Sequence, residues 1–168
     1  MIWLKGRRPA GLLLAAWLVV TASVTSCKPA PATTQPRFTV ADFARLRWLA
    51  GDWQSRTQDG RSFYDRYQVI DDSTIRQASF SDSTFRTQKY SAVIGLRGGR
   101  VIDRGDGAPW FATRIDTNGA TFEPEAAAAN HIVWTRVSPD RWTTQISITY
   151  PTGAKTQTVY QVERVRRK

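Results

Sequence analysis

Beyond Gly51 the chain is cut roughly every eight to twelve residues by turn chemistry: QDGR, DDST, SDST, LRGGR, RGDGAP, DTNGA, SPDR and PTGAK. Glycine accepts a positive φ without steric cost, and aspartate and asparagine bond their own backbone two residues on, so each cluster can reverse the chain. The stretches between them are short for helices and suit strands, which predicts an all-β sandwich or barrel. The clearest period-two run is Trp142, Thr144, Ile146, Ile148 and Tyr150, with Thr143, Gln145, Ser147 and Thr149 facing the other way. One face is therefore core and the other polar. In the last strand Tyr160, Val162 and Arg164 share a face, opposite Gln157, Gln161 and Glu163. About ten strands joined by tight hairpins favour an up-and-down antiparallel barrel.

Before the strands, TVADFARLRWLAGDW places Asp42 three residues after Thr39, the spacing of a capping box. Phe43, Leu46 and Leu49 follow at helical spacing and Gly51 can stop the helix, so one short helix is expected over about residues 40 to 49. Earlier still, Lys5, Arg7 and Arg8 precede an apolar run from about residue 10 to 24, with small residues up to Ser26. That is the three-part pattern of a secretory signal, and the run is shorter than the about 20 apolar residues a spanning helix needs. Val24-Thr25-Ser26-Cys27 resembles the lipobox of bacterial lipoproteins. The resemblance implies cleavage before Cys27, lipidation of that cysteine, and a lipid-anchored protein of the bacterial cell envelope. Lys28 stands where an aspartate would resemble an inner-membrane retention signal, which favours the outer membrane, facing the periplasm. The expected organisation is a signal peptide over 1–26, a lipidated cysteine and Pro/Ala/Thr tether over 27–37, and a barrel domain over 38–168.

Cys27 is the only cysteine, so with lipid on it the domain has neither disulfides nor cysteine metal sites, and core packing has to carry its stability. The formal net charge is +10. A basic balance suits nucleic acid or an acidic surface. An exported lipoprotein seldom meets nucleic acid, however, and the basic residues are spread over many strands. Only RVRRK at the C-terminus forms a cluster, facing anionic lipid headgroups or solvent. The expected partners are a membrane, through lipidated Cys27, and a small apolar ligand; no nucleic acid is expected, and oligomeric state is left open.

Gly51-Asp52-Trp53, where the helix meets the first strand, resembles the G-x-W motif of the lipocalin-like, or calycin, barrels. In that motif the tryptophan plugs the closed end and an arginine of the last strand lies across it. The resemblance implies a barrel-closing pair of Trp53 and Arg164, and an arginine over an indole is independently favourable by about 0.5 to 2 kcal/mol. Taken together, WLAGDWQ, SFYDRYQV and ATFEPEAAAANHIVWTRVSPDRW resemble a family of small bacterial lipocalin-like domains of unknown function, over residues 43 to 165. That family later has Phe-x-Asn-Pro followed by His-Asp-Phe-Pro. Here Phe122, Glu123 and Pro124 fit without the asparagine, and Ala126 to Ala129 stand where polar and aromatic residues would follow. Whatever the family does with its histidine and aspartate is not done by these residues.

Most acidic residues, Asp103 and Asp52 among them, read as turn aspartates. Asp65 is the exception, mid-strand with Phe63, Tyr67 and Val69 on its face; if it points inward, an arginine should pair with it or its pKa must rise. His131 is the only histidine, so a multi-histidine metal site is impossible, and no metal or cofactor is expected. It precedes Ile132 and Trp134, which carry the core parity, so it should face solvent and not haem. No nucleophile motif accompanies it. Tyr64, Tyr67, Phe80, Phe85, Tyr90, Trp110, Phe111, Trp134 and Trp142 are dense enough to line a cavity. The favoured reading is a non-enzymatic barrel that binds a small hydrophobic or amphipathic molecule through Tyr67, Asp65, Trp110, Trp134 and Trp142. The alternatives are a filled barrel serving structure or protein interaction and, behind it, a haem-binding barrel or an enzyme using Asp65 or Glu123 as general base. An apolar cavity of at least about 300 Å³ separates the first from the second.

Overall fold

The computed structural model describes residues 36–125 and 129–166. The expected signal peptide, Cys27 and most of the expected tether lie outside the described residues, as do residues 126–128 of the alanine run. Among the described residues no helix is long and apolar enough to cross a membrane.

Ten strands run in chain order: β1 (Gly51–Arg56), β2 (Ser62–Asp71), β3 (Thr74–Phe80), β4 (Gln88–Arg97), β5 (Arg100–Arg104), β6 (Trp110–Asp116), β7 (Gly119–Pro124), β8 (His131–Ser138), β9 (Arg141–Thr149) and β10 (Lys155–Arg164). Each pairs antiparallel with its sequence neighbours, and β1 pairs with β10 to close the barrel. Closure removes the exposed edges that an open sandwich would have to protect. The eight turn clusters of the sequence fall in eight of the nine connections. Those at one end span only residues 72–73, 98–99, 117–118 and 139–140, whereas those at the other run 57–61, 81–87, 105–109, 125–130 and 150–154. One end is thus tight and the other wide. Tyr150 lies in the last wide connection and is exposed, because β9 stops at Thr149.

The tight end is filled from below by the segment before β1. Thr39 and Asp42 form the expected capping box. The expected short helix is present, as an α-helix, α1 (Val40–Ala44), continued by a 3₁₀ turn over Arg47–Leu49. From Arg45 onward the amides bond three residues back: Arg45 to Asp42, Leu46 to Phe43, Leu49 to Leu46 and Ala50 to Arg47. With three residues per turn, side chains at i and i+3 eclipse. Phe43, Leu46 and Leu49 therefore stack on one side, and all three are buried under the barrel.

Trp53 is fully buried, and its indole Nε1 donates to the Leu49 carbonyl at 2.6 Å. Opposite it in the β1–β10 register stands Arg164, whose guanidinium lies 4.1 Å from the Trp53 ring centroid. The Arg164 Nη1 donates to the Ala50 carbonyl at 2.9 Å, Nη2 to the Pro139 carbonyl at 3.2 Å and Nε to the Asp140 carboxylate at 3.1 Å. The guanidinium needs Gly51 beneath it: φ there is +135°, and a Cβ would sit 2.1 Å from Nη1. Within the basic C-terminal cluster, Arg166 also donates to Asp140, at 2.7 Å.

Trp53→Ala should lower the unfolding free energy by about 3 to 5 kcal/mol, as deletion of a large core ring does. Gly51→Ala should cost more than about 1 kcal/mol, because the new methyl must displace the guanidinium and adopt a φ that L residues avoid. Urea denaturation followed by circular dichroism measures both. An unchanged midpoint for Trp53→Ala would show that this floor does not hold the barrel together.

Candidate functional site

Above the floor the barrel is hollow. A cavity of about 680 Å³ opens at the end with the wide connections. The two halves meet at Trp142, which is buried and lines the cavity from below. Its ring packs against Trp48, Trp53, Tyr67 and Trp134 with centroids 5.5 to 6.2 Å apart, in edge-to-face arrangements. Such contacts add about 0.5 to 1.5 kcal/mol each beyond area burial and fix the ring in place. The Trp142 Nε1 is buried without an acceptor among the described residues.

Tyr67, Asp65, Trp110, Trp134 and Trp142, the five residues expected to bind a ligand, all line this one cavity. Period-two alternation brings them there from β2, β6, β8 and β9: Asp65 and Tyr67 share a face, as do Trp142, Thr144 and Ile146. The aromatic roll is only partly inward. Phe80, Tyr90 and the three tryptophans reach the cavity, whereas Tyr64, Phe85 and Phe111 do not. Phe85, at a φ of +54°, turns back over the outside of β2 and β3 against Tyr64 and Phe80, with the Arg66 guanidinium 4.9 Å from its ring. Phe111 is covered from outside by Arg100, 3.9 Å from its centroid. Ala112 belongs to the core, so the adjacent Phe111 faces outward by ordinary alternation and is buried under that cover.

Charged groups of the wall are few among the described residues: Asp65, Asp103 and Lys89. Asp65 points inward, but its expected arginine partner is replaced by the Ser79 hydroxyl and the Gln77 amide, the latter at 3.2 Å, both donated from β3 next door. Burial outweighs those two hydrogen bonds and raises its pKa above the usual carboxylate value. Asp103, expected in a turn, lies on β5 and faces the same cavity. No hydrogen bond or ion pair from the described residues reaches its carboxylate, and burial alone pushes its pKa up to about 6. Tyr67 is held well above its ordinary value by burial and then by the charges of Asp65 and Asp103, and Tyr90 is raised by burial and Asp103, so both phenols stay protonated. Lys89 is the only basic lining residue, and it is exposed.

Asp103 could have been found by alternation. Val101 is fully buried, so the residue two further on shares its inward face. Tyr90 is marked in the same way by Ala92 and Ile94. The other residues singled out for chemistry lie elsewhere. Glu123 is exposed and outside the cavity, accepting from the Thr113 hydroxyl at 3.4 Å, which withdraws it as a general base in the barrel. His131 borders a separate surface depression together with Glu123 and Lys155. Among the described residues no group of three or more His, Cys, Asp or Glu is placed to hold a metal ion.

No family model matches the chain. No curated protein matches it either. Among solved structures it is similar to a redesigned beta barrel at 14% identity, covering 71% of this chain and 93% of that one with a TM-score of 0.31. At that score the likeness carries no weight, and the barrel rests on its own strand pairing.

Asp103 makes stability depend on pH. Its folded pKa of about 6 lies above the ordinary 3.8, so between those values the folded protein holds a proton that the unfolded chain has lost. Stability must therefore fall as pH rises from about 4 to about 6, and the loss is complete above that window. Asp103→Asn removes this contribution. Its stability relative to wild type should improve by roughly 2 to 3 kcal/mol between pH 4 and pH 8, read from urea midpoints at each pH. A constant difference across that range would place the Asp103 carboxylate in water.

Proposed function

We propose that this chain is a lipid-anchored protein of the bacterial envelope, of the lipocalin-like kind, that takes a small hydrophobic or amphipathic molecule into the open half of its barrel. The observation that carries the reading is the cavity. At about 680 Å³ it exceeds the about 300 Å³ that a small-molecule site needs, and aromatic rings share its wall with hydroxyl and amide side chains and two carboxylates. A barrel serving only structure or protein contact would have no reason to leave this space unfilled, since empty apolar volume costs stability. The floor supports the same reading, because it seals one end without using the upper residues.

The leader pattern ending at Cys27 supports the anchor. Several acyl chains, at about 0.8 kcal/mol per buried CH₂, would hold the protein on a membrane nearly permanently, so the barrel needs no apolar membrane face of its own. The tether of residues 28–37 would let the open end face the periplasm while the anchor sits in the outer membrane.

Two measurements test the two halves of the proposal. Native mass spectrometry of the full lipidated protein, purified from its own envelope, should show a species heavier than the bare chain by one small molecule, released on denaturation. Finding only the bare mass after gentle extraction, with no dye or lipid taken up on later exposure, would count against the cavity as a binding site. Cys27→Ser should leave the barrel folded and move it from the membrane to the soluble fraction. Continued fractionation with membranes would mean that the apolar run is an uncleaved span or that a protein partner holds the domain.

A further inference from the structure

The cavity has the opposite charge to the molecule around it. The chain carries 24 Lys and Arg against 14 Asp and Glu, yet two carboxylates and only one basic side chain line the cavity. No arginine lines the cavity among the described residues; Arg66 pairs with Asp52, Arg100 with Glu125 and Arg164 with Asp140. Asp65 receives only neutral donors, from Ser79 and Gln77, and Asp103 receives none from the described residues. Around them stand the indole rings of Trp110, Trp134 and Trp142.

A carboxylate kept in such a site without a counter-ion is unfavourable, and what enters the cavity decides whether that cost persists. A neutral ligand leaves it in place, and an anion adds like-charge repulsion. A cation removes it, and its attraction to an indole face grows when water is excluded. We propose that the cavity selects an organic cation, a protonated or quaternary amine carrying an apolar body, with the carboxylates of Asp103 and Asp65 as counter-charge and the tryptophan faces as the rest of the cage. The proposal rests on the reading of this cavity as a ligand site and names the chemical class that it takes.

The test uses three probes with one apolar body and different charge: 4-phenylbutylamine, 4-phenylbutanol and 4-phenylbutyrate, titrated at pH 8 by calorimetry and by tryptophan fluorescence. The amine should bind at least about tenfold more tightly than the alcohol, and the carboxylate more weakly than the alcohol. The basic exterior opposes this order, so the preference would report the interior. In the double variant Asp65→Asn, Asp103→Asn the advantage of the amine should fall to within about threefold while the alcohol still binds. Circular dichroism and the thermal midpoint establish that the variant is folded, and Asp103→Asn alone, which removes an unpaired charge, serves if the double variant is not. Equal binding of amine and alcohol, or an amine preference that survives the substitutions, would overturn the cation proposal and leave the cavity as a ligand site. Failure of all three probes at millimolar concentration would overturn both.

Discussion

The guanidinium of Arg164 lies 4.1 Å from the ring of Trp53, at the place where the first and last strands of the barrel pair. Three acceptors in two further elements depend on that side chain. The carbonyl of Ala50 ends the 3₁₀ turn, the carbonyl of Pro139 and the carboxylate of Asp140 belong to the β8–β9 hairpin, and all three accept from the same side chain. A lysine could not replace it, because a point charge has neither the planar fork for several acceptors nor the flat face for an indole. Gly51 is the sequence's concession to this geometry, since any side chain there would occupy the space of the guanidinium.

Sealing one end so tightly frees the other. Phe43, Leu46 and Leu49 come up from the N-terminal segment and fill the lower barrel with Trp53, Ile75, Ile94, Val101, Phe122 and Val162, all at or near zero exposure. The upper residues then do not have to meet across the barrel axis. Trp142 divides the two regions: its edge-to-face contacts with four other rings hold it as a rigid tile, part of the core from below and part of the wall from above. A polar group can survive in the upper region only at some cost. Asp103 shows that cost directly, through a carboxyl that burial holds to a pKa of about 6.

The barrel itself was legible because turn chemistry is local. Glycine, aspartate and proline act on their own backbone, so each hairpin could be located without knowing its partner strands. The inward set of Tyr67, Asp65, Trp134 and Trp142 was legible for the similar reason that strand parity fixes the face. What local chemistry left open was decided by distant contacts. The helix tightened into a 3₁₀ turn to eclipse three apolar residues under the barrel, a demand of tertiary packing that helical spacing cannot express. Phe85 went outside because its loop turned back, Phe111 because it alternates with inward Trp110, and Asp65 took the second of its two expected courses, a raised pKa with only neutral partners from an adjacent strand. Asp103 was missed although its parity was available, because it was grouped with the turn aspartates and not read as a strand residue.

A barrel plugged below and hollow above should respond to filling of the hollow alone. The most direct measurement is the fluorescence titration of N-phenyl-1-naphthylamine into wild type and into Thr144→Trp, whose new indole would project into the cavity between Trp142 and Ile146. The expected result is saturable binding of one dye per wild-type chain, and its loss in a variant whose circular dichroism and thermal midpoint remain those of a folded barrel. Dye binding that persists unchanged in the folded Thr144→Trp protein, or no saturable binding to wild type, would contradict the hollow barrel.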